Sequence, residues 1–216
     1  MISLHKNIIF LGAPGTGKGT VSHEISKIMG LKHISTGDIF REEIKNKSEL
    51  GLKIQEIVAS GLYVTDEITN AVVHKKVTNL KLQNINYILD GYPRTVEQAN
   101  FLSSLNQDRF IVILLELSKE KIIERLSQRL FCSTCKRTYN STNMKSLKHP
   151  NCELENTLLI TRADDQPEAI IKRLEVYNQQ TEVLIDYFKN KSMLFTLQAD
   201  KEVTEIVLDI QEIYNK

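Results

Sequence analysis

The stretch GAPGTGKGT, residues 12 to 20, sets Lys18 behind Gly12, Gly15 and Gly17 and directly after the apolar run NIIFL. Glycines reach positive φ and let backbone N–H groups point inward at an anion, and the positive end of a following helix adds to the attraction. Lys18 would then bridge the terminal phosphates of a nucleotide. The common phosphate loop reads G-x-x-x-x-G-K-[ST], with a hydroxyl directly after the lysine for magnesium. Here Gly12, Gly17 and Lys18 match, but Gly19 follows the lysine and Thr20 comes one place late. Without that hydroxyl, a metal would be held chiefly by the nucleotide's own phosphates and by water. Asp90, which closes the apolar run YILD, is placed to accept hydrogen bonds from such waters. The plain structural alternatives are a glycine-rich strand-to-helix turn and a carboxylate that caps the turn into GYPRT.

The arginines point to the same chemistry. Lysine is common throughout, whereas arginine occurs only as Arg41, Arg94, Arg109, Arg125, Arg129, Arg137, Arg162 and Arg173. A planar fork that binds two oxygens at once is something lysine cannot supply. Arg125 and Arg129 are spaced to share one face of a helix. Arg162 opens RADD, and Arg173 follows three turns along a long helix on the same side. Phosphoryl transfer needs alignment and charge neutralisation more than covalent help, so several converging arginines would suit it. A solvated basic stripe is the alternative for Arg125 and Arg129, and a solvated helix start for Asp164 and Asp165.

Cys132, Cys135 and Cys152 form the pattern C-x2-C-x16-C-x2-E, with Glu155 last. An odd number of cysteines in a chain without a signal peptide argues for metal ligation over disulfides. Two half-sites separated by a loop match a structural zinc site with four tetrahedral ligands. His149 is an alternative fourth ligand, and a metal-free loop is the competing reading.

These residues need elements to position them. Residues 7 to 11 read as a buried strand, and the glycine-rich loop then opens a helix from about Lys18 to Met29. YILD (87 to 90) and FIVILLEL (110 to 117) are further strands, followed by the helical patterns TVEQANFLSSL and SKEKIIERLSQRL. Residues 166 to 190 have helical spacing throughout, with Pro167 in the first turn, and SMLFTL and EVTEIVLDIQEIY supply a last strand and helix. Strands alternating with helices predict a doubly wound parallel α/β sheet, with ligands at the carboxyl ends of its strands. Residues 35 to 64 and 131 to 161 fit the alternation poorly and read as two excursions from one core.

The bulk properties narrow the function classes. A chain of 216 residues with 41% hydrophobic content can bury one sizeable core. Lys+Arg 28 against Asp+Glu 27 gives +1, so there is no global basic field for nucleic acid. No stretch approaches the roughly 18 apolar residues of a membrane span. The expectation is a cytoplasmic, unexported protein with no nucleic-acid or membrane partner.

GAPGTGKGT, STGDIFR (35 to 41), DGYPRT (90 to 95) and RADD (162 to 165) together resemble the signature segments of the adenylate kinase family. That family also has Gly then Thr after the lysine, and the resemblance runs from the first strand to the last helix. It implies a P-loop fold with a five-stranded parallel sheet. The core would comprise 1–34, 65–127 and 166–216, with an AMP-binding subdomain at 35–64 and a lid at 128–165.

The resemblance also implies roles. ATP would contact Gly12, Pro14, Gly15, Thr16, Gly17, Lys18, Gly19, Thr20, Arg125 and Arg129, with its adenine near Arg129, Thr138, Tyr139 and the Lys201 backbone. Tyr139 as a core aromatic is a competitor. AMP would contact Thr36, Arg41, Leu62, Tyr63, Val64, Gly91, Tyr92, Pro93, Arg94, Gln98, Arg162 and Arg173. Gln98 can pair with both the ring nitrogen and the exocyclic amine of adenine. Lys18, Arg94, Arg129, Arg162 and Arg173 would carry catalysis, with Asp90 holding the magnesium waters and Asp164 and Asp165 at a hinge. Metal-bearing members share the cysteine spacing with Cys or Asp last. Here Glu155 stands last, and neither half-site has the glycine that usually follows its second ligand.

The expected activity is reversible, magnesium-dependent phosphoryl transfer from ATP to AMP giving two ADP. It would serve adenine nucleotide homeostasis and salvage in a monomer whose two excursions close and exclude water. The alternatives are a kinase for UMP or CMP, a nucleotide-responsive binding protein, and a zinc module for nucleic acid.

Overall fold

The computed structural model describes residues 6–105, 109–144 and 150–216. His149, the alternative fourth zinc ligand, lies outside them. The chain runs β1 (Lys6–Leu11), α1 (Lys18–Met29), β2 (Lys32–Ser35), α2 (Thr36–Lys45), α3 (Glu49–Ala59), α4 (Asp66–Leu82), β3 (Tyr87–Asp90) and α5 (Val96–Ser104). It continues through β4 (Arg109–Glu116), α6 (Lys119–Ser127), β5 (Arg129–Phe131), β6 (Thr138–Asn140), α7 (Pro167–Val176), α8 (Val183–Asn190), β7 (Leu194–Gln198) and α9 (Val203–Asn215).

Five strands form one sheet in the order β2-β3-β1-β4-β7, and each pairing is parallel. Crossover helices cover both faces, so the central strands read as continuous apolar runs. Successive side chains alternate between two cores. Ile9, Leu11, Leu89, Val112 and Leu114 pack with Val73, Val77, Leu102, Leu184 and Phe188. Ile8, Phe10, Ile88, Ile113 and Leu115 pack with Val21, Ile25, Ile206, Val207 and Ile210 on the other side. Asp90 pairs in register with Phe10 of β1 and Ser35 of β2, which sets its carboxylate at the carboxyl edge of the sheet.

Four elements differ from the sequence reading. The strand β2 and the helix α4 have no counterpart in it, and α6 ends at Ser127, so Arg129 stands on β5 and shares no helix face with Arg125. β2 is the four-residue KHIS edge strand, too short and polar to show an apolar run. The helix expected across 166 to 190 is interrupted by a π-turn at Tyr177–Thr181 between α7 and α8. One extra residue there turns the hydroxyl of Thr181 inward, where it donates to Arg94 O at 2.8 Å. Such π-turns cluster at functional sites.

The first excursion is α2 and α3, each started by a serine whose side chain accepts a backbone N–H: Ser35 from Asp38, and Ser48 from Gly51. It has its own small core of Phe40, Ile54 and Val64. Gly61 ends it with φ +78, and a Cβ there would lie 2.7 Å from Ala169 O, so only glycine lets this corner meet α7. In the second excursion β5 and β6 pair as an antiparallel ribbon, extended by isolated bridges Phe131↔Ile160 and Asn151↔Leu158.

Candidate active site

The turn from β1 to α1 forms a glycine-rich loop. Gly12, Gly15 and Gly17 take φ +137, +86 and +97, and a Cβ on Gly12 would come within 2.5 Å of Leu115 O. Lys18 folds back over this loop, its Nζ donating to Gly12 O at 2.7 Å and to Ala13 O at 2.8 Å. Desolvation of the ammonium lowers its pKa to about 7; Asp90 opposes the shift, while Arg94, Arg173 and Arg129 add to it. These charges come from four separate elements or turns and meet at one lysine. The loop therefore holds an ammonium that lacks compensating negative charge, which an anion would supply.

Gly19, where the common loop has its hydroxyl, faces Asp90: a Cβ there would stand 3.4 Å from Asp90 Oδ2. His33 Nε2 lies 3.3 Å from the same oxygen. Burial works against the Asp90 carboxylate, but His33, Lys18 and Arg94 outweigh it, and its pKa stays below the ordinary carboxylate value. Thr20 is exposed at the start of α1, and Thr16 is buried with its hydroxyl donating to Ala13 O at 3.0 Å.

Arg94 follows β3 and is fixed on several sides. Its backbone N–H donates to Gln98 Oε1 at 2.8 Å and its Nε to Gly91 O at 2.8 Å, with the Tyr63 ring centroid 4.8 Å from its guanidinium carbon. Gln98 in turn donates through Nε2 to Asp66 Oδ1 at 2.7 Å. Thr36, Arg41, Leu62, Tyr63, Val64, Gly91, Arg94, Gln98 and Arg173 line one open cleft. Tyr92 and Pro93 stand apart from that lining. Tyr92 is fully buried, with its hydroxyl on Asn70 Oδ1 at 2.7 Å.

Arg129 donates from Nε to Asp165 Oδ2 at 2.7 Å and from Nη2 to Asp165 Oδ1, a bidentate pair. Arg173 Nη1 reaches Asp165 Oδ1 and Asp164 Oδ2, both at 3.0 Å. Asp164 and Asp165 are thus buried anion partners for the arginines, not a solvated helix start. Arg125 ties α6 to two neighbours, donating from Nη2 to Ala199 O at 2.9 Å and from Nη1 to Thr16 O at 3.5 Å.

The two excursions meet over the cleft at Phe131. The guanidinium carbon of Arg162 lies 4.2 Å from its ring centroid and that of Arg41 lies 5.7 Å away. Arg41 also pairs with Asp38 at 2.6 Å. Arg41 Nε and Arg162 Nε are buried without a hydrogen-bond partner among the described residues. Burial first, then Arg41 and Arg129, disfavour the charged form of Arg162. Unpartnered guanidinium nitrogens crowded by like charge describe a site short of an anion.

The thiols of Cys132, Cys135 and Cys152 lie within 4.8 Å of one another. Thr157 Oγ1 contacts Cys132 Sγ at 3.2 Å, and the Tyr139 hydroxyl contacts Cys152 Sγ at 3.2 Å. Burial opposes ionisation of Cys132, but hydrogen bonds from Thr157 and from the Cys135 and Thr134 backbones outweigh it. Three soft donors in one pocket fit zinc. Glu155 is exposed and outside the converging group. Tyr139 packs on this cysteine cluster, while the expected adenine neighbours Thr138 and Lys201 are exposed and Lys201 pairs with Asp209 at 2.8 Å.

Sequence reasoning missed His33, Asp66, Phe131 and Thr181. None sits in a motif. Each acts by touching a motif residue across the fold, which spacing along the chain does not encode.

The family model described as adenylate kinase matches residues 10–193. An adenylate kinase of Mycoplasma mobile is 48% identical over 214 residues, covering 97% of this chain and 99% of that protein. One of Mycoplasmopsis pulmonis is 45% identical over 208 residues, with 96% and 97% covered. One of Thermosipho melanesiensis is 36% identical over 214 residues, with 97% and 100% covered.

Proposed function

The chain belongs to the adenylate kinase family, and from that premise we propose how its own residues divide the transfer of a phosphoryl group from ATP to AMP. The reaction interconverts ATP and AMP with two ADP, and so serves adenine nucleotide homeostasis. One observation carries the assignment of roles: Arg94, Arg173 and Arg129 all lie close enough to Lys18 to disfavour its charge, which Asp90 favours.

The backbone of residues 12–20 and Lys18 receive the ATP phosphates, with Arg125 holding the loop against α6. Arg41 and Arg94 grip the AMP phosphate. Arg129, Arg162 and Arg173 surround the group in transit, where charge spreads over its oxygens. Magnesium, when bound with ATP, neutralises phosphate charge and orients the polyphosphate. Asp90 would hold its waters, since Gly19 supplies no hydroxyl. Gln98 reads the AMP adenine beside Thr36. Its carboxamide has already given one N–H to Asp66 and one lone pair to Arg94. One donor and one acceptor remain, which is what the adenine edge requires.

Residues 35–64 act as the AMP-binding subdomain and 128–165 as the lid, with Asp164 and Asp165 at the hinge. Their contact at Phe131 supports closure over both nucleotides, which keeps water from the γ-phosphate. Cys132, Cys135 and Cys152 would hold a structural zinc, with Glu155 turning in from solvent as the fourth ligand. Metal would stiffen the lid away from the chemistry, and zinc well below one per chain in untagged protein would remove it. No helix among the described residues is long and apolar enough to cross a membrane. We take the enzyme to be a cytoplasmic monomer with nucleotide substrates and no nucleic-acid or membrane partner.

The test is ADP formation from ATP paired with AMP, UMP or CMP. AMP should be the strongly preferred acceptor. Equal rates with UMP would overturn the role of Gln98.

A further inference from the structure

We propose that Tyr63 is a positioning residue that presets the Arg94 guanidinium for the acceptor phosphate, with Thr181 as its anchor. The proposal rests on the reading that Arg94 binds that phosphate. Tyr63 lies at the end of the first excursion, where the chain returns to the core, and two independent contacts join its side chain to Arg94. The first is direct: the guanidinium carbon stands 4.8 Å from the ring centroid, within cation–π range. The second runs through Thr181. The Tyr63 hydroxyl lies 2.9 Å from Thr181 Oγ1, and that hydroxyl donates to Arg94 O at 2.8 Å.

The two contacts fix what the remaining bonds leave loose. Gly91 O holds Arg94 by Nε alone, and Gln98 holds its backbone N–H, so the guanidinium plane can still swing about the Nε edge. A ring face beneath the fork removes that swing. Among the described residues no hydrogen bond engages the terminal nitrogens of Arg94, so the fork is held in place with both tips available to phosphate oxygens. Thr181 is 5% exposed and ends the π-turn, so the extra residue in the long helix is what brings its hydroxyl between Tyr63 and Arg94. A lysine-like point charge would gain little from this stack, whereas a planar fork gains orientation from it.

Binding of AMP, measured by titration calorimetry on the full chain, tests the proposal. Tyr63→Leu should weaken AMP by about threefold to tenfold, the range of one partly desolvated cation–π contact, and leave ATP affinity unchanged. Tyr63→Phe, which keeps the ring, should stay closer to the parent. In an Arg94→Ala background Tyr63→Leu should add nothing, because the residue acts through the arginine. Penalties that multiply in the double variant, or equal loss of AMP and ATP affinity, would overturn the proposal. If Arg94→Ala itself leaves AMP binding intact, the assignment of Arg94 to the phosphate fails instead, whatever Tyr63 does. Should Tyr63→Leu not fold, Tyr63→Met carries the same cycle, since it also removes the ring face beneath the guanidinium.

Discussion

Asp165 takes both Nε and Nη2 of Arg129 on its two carboxylate oxygens, and it does so with its own side chain wholly removed from solvent. The same carboxylate receives Arg173, so one buried anion orders two guanidinium groups from different elements. Removing one partner of a buried charge pair leaves the other uncompensated. Asp165→Asn should therefore cost about 3 kcal/mol of stability. Thermal unfolding of the ligand-free variant would check this. An unchanged Tm would mean that solvent, and not Asp165, balances the arginines.

Acid should act through Asp90 and Asp164. Burial alone would raise the pKa of Asp164, but Arg173, Arg41, Arg129 and Arg162 more than reverse this, and Asp90 is lowered likewise by His33, Lys18 and Arg94. A carboxylate whose folded pKa is depressed contributes stability above its unfolded pKa and loses it as pH falls through the folded value. Stability should be flat above about pH 5 and decline from roughly pH 4 downward. Denaturant titrations across that range would show it, and Asp164→Asn should flatten the slope.

Much of this site was legible in the chain because its parts are local. The glycines, Lys18 and Asp90 belong to segments whose geometry is set within a few residues. The arginines could be named one by one, but which aspartate two of them would share could not, since Asp165 meets both Arg129 of β5 and Arg173 of α7 only in the folded chain. RADD read either as a hinge whose aspartates pair with the excursion arginines or as a solvated helix start, and both aspartates are buried counter-charges. The fold was legible where strands are buried on both faces. It failed at β2, whose KHIS sequence has no apolar run and whose pairing with β3 supplies what its propensity lacks. It failed again at Thr181, because a π-turn has the same apolar spacing as the helix around it to within one residue.

Arg129→Lys should separate charge from geometry. Lysine keeps the positive charge and much of the aliphatic stem, but it cannot bind Asp165 through two parallel hydrogen bonds or offer a fork to the phosphoryl oxygens. The variant should fold, with a small loss of Tm, and lose roughly a thousandfold in kcat, the scale of an arginine contact in the transition state. Steady-state ADP formation at saturating ATP and AMP checks it. A rate near the parent's would place Arg129 outside the chemistry.

Binding of ATP should take up a proton at Lys18. In the ligand-free protein its pKa is about 7, since desolvation and three arginines outweigh the attraction of Asp90. At pH 8 the amine is then largely neutral. A triphosphate beside Nζ favours the ammonium and raises the pKa, so the proton must come from the buffer as the nucleotide enters. Titrating ATP into the protein at pH 8 in buffers of different ionisation enthalpy should give heats that vary with the buffer, with a slope approaching one proton. Below about pH 6 the lysine is already charged, so uptake at its amine should vanish and the slope there reports only the terminal phosphate of ATP. Lys18→Met should abolish the slope at pH 8. A slope that persists at pH 8 in that variant would assign the proton to another group at the nucleotide site.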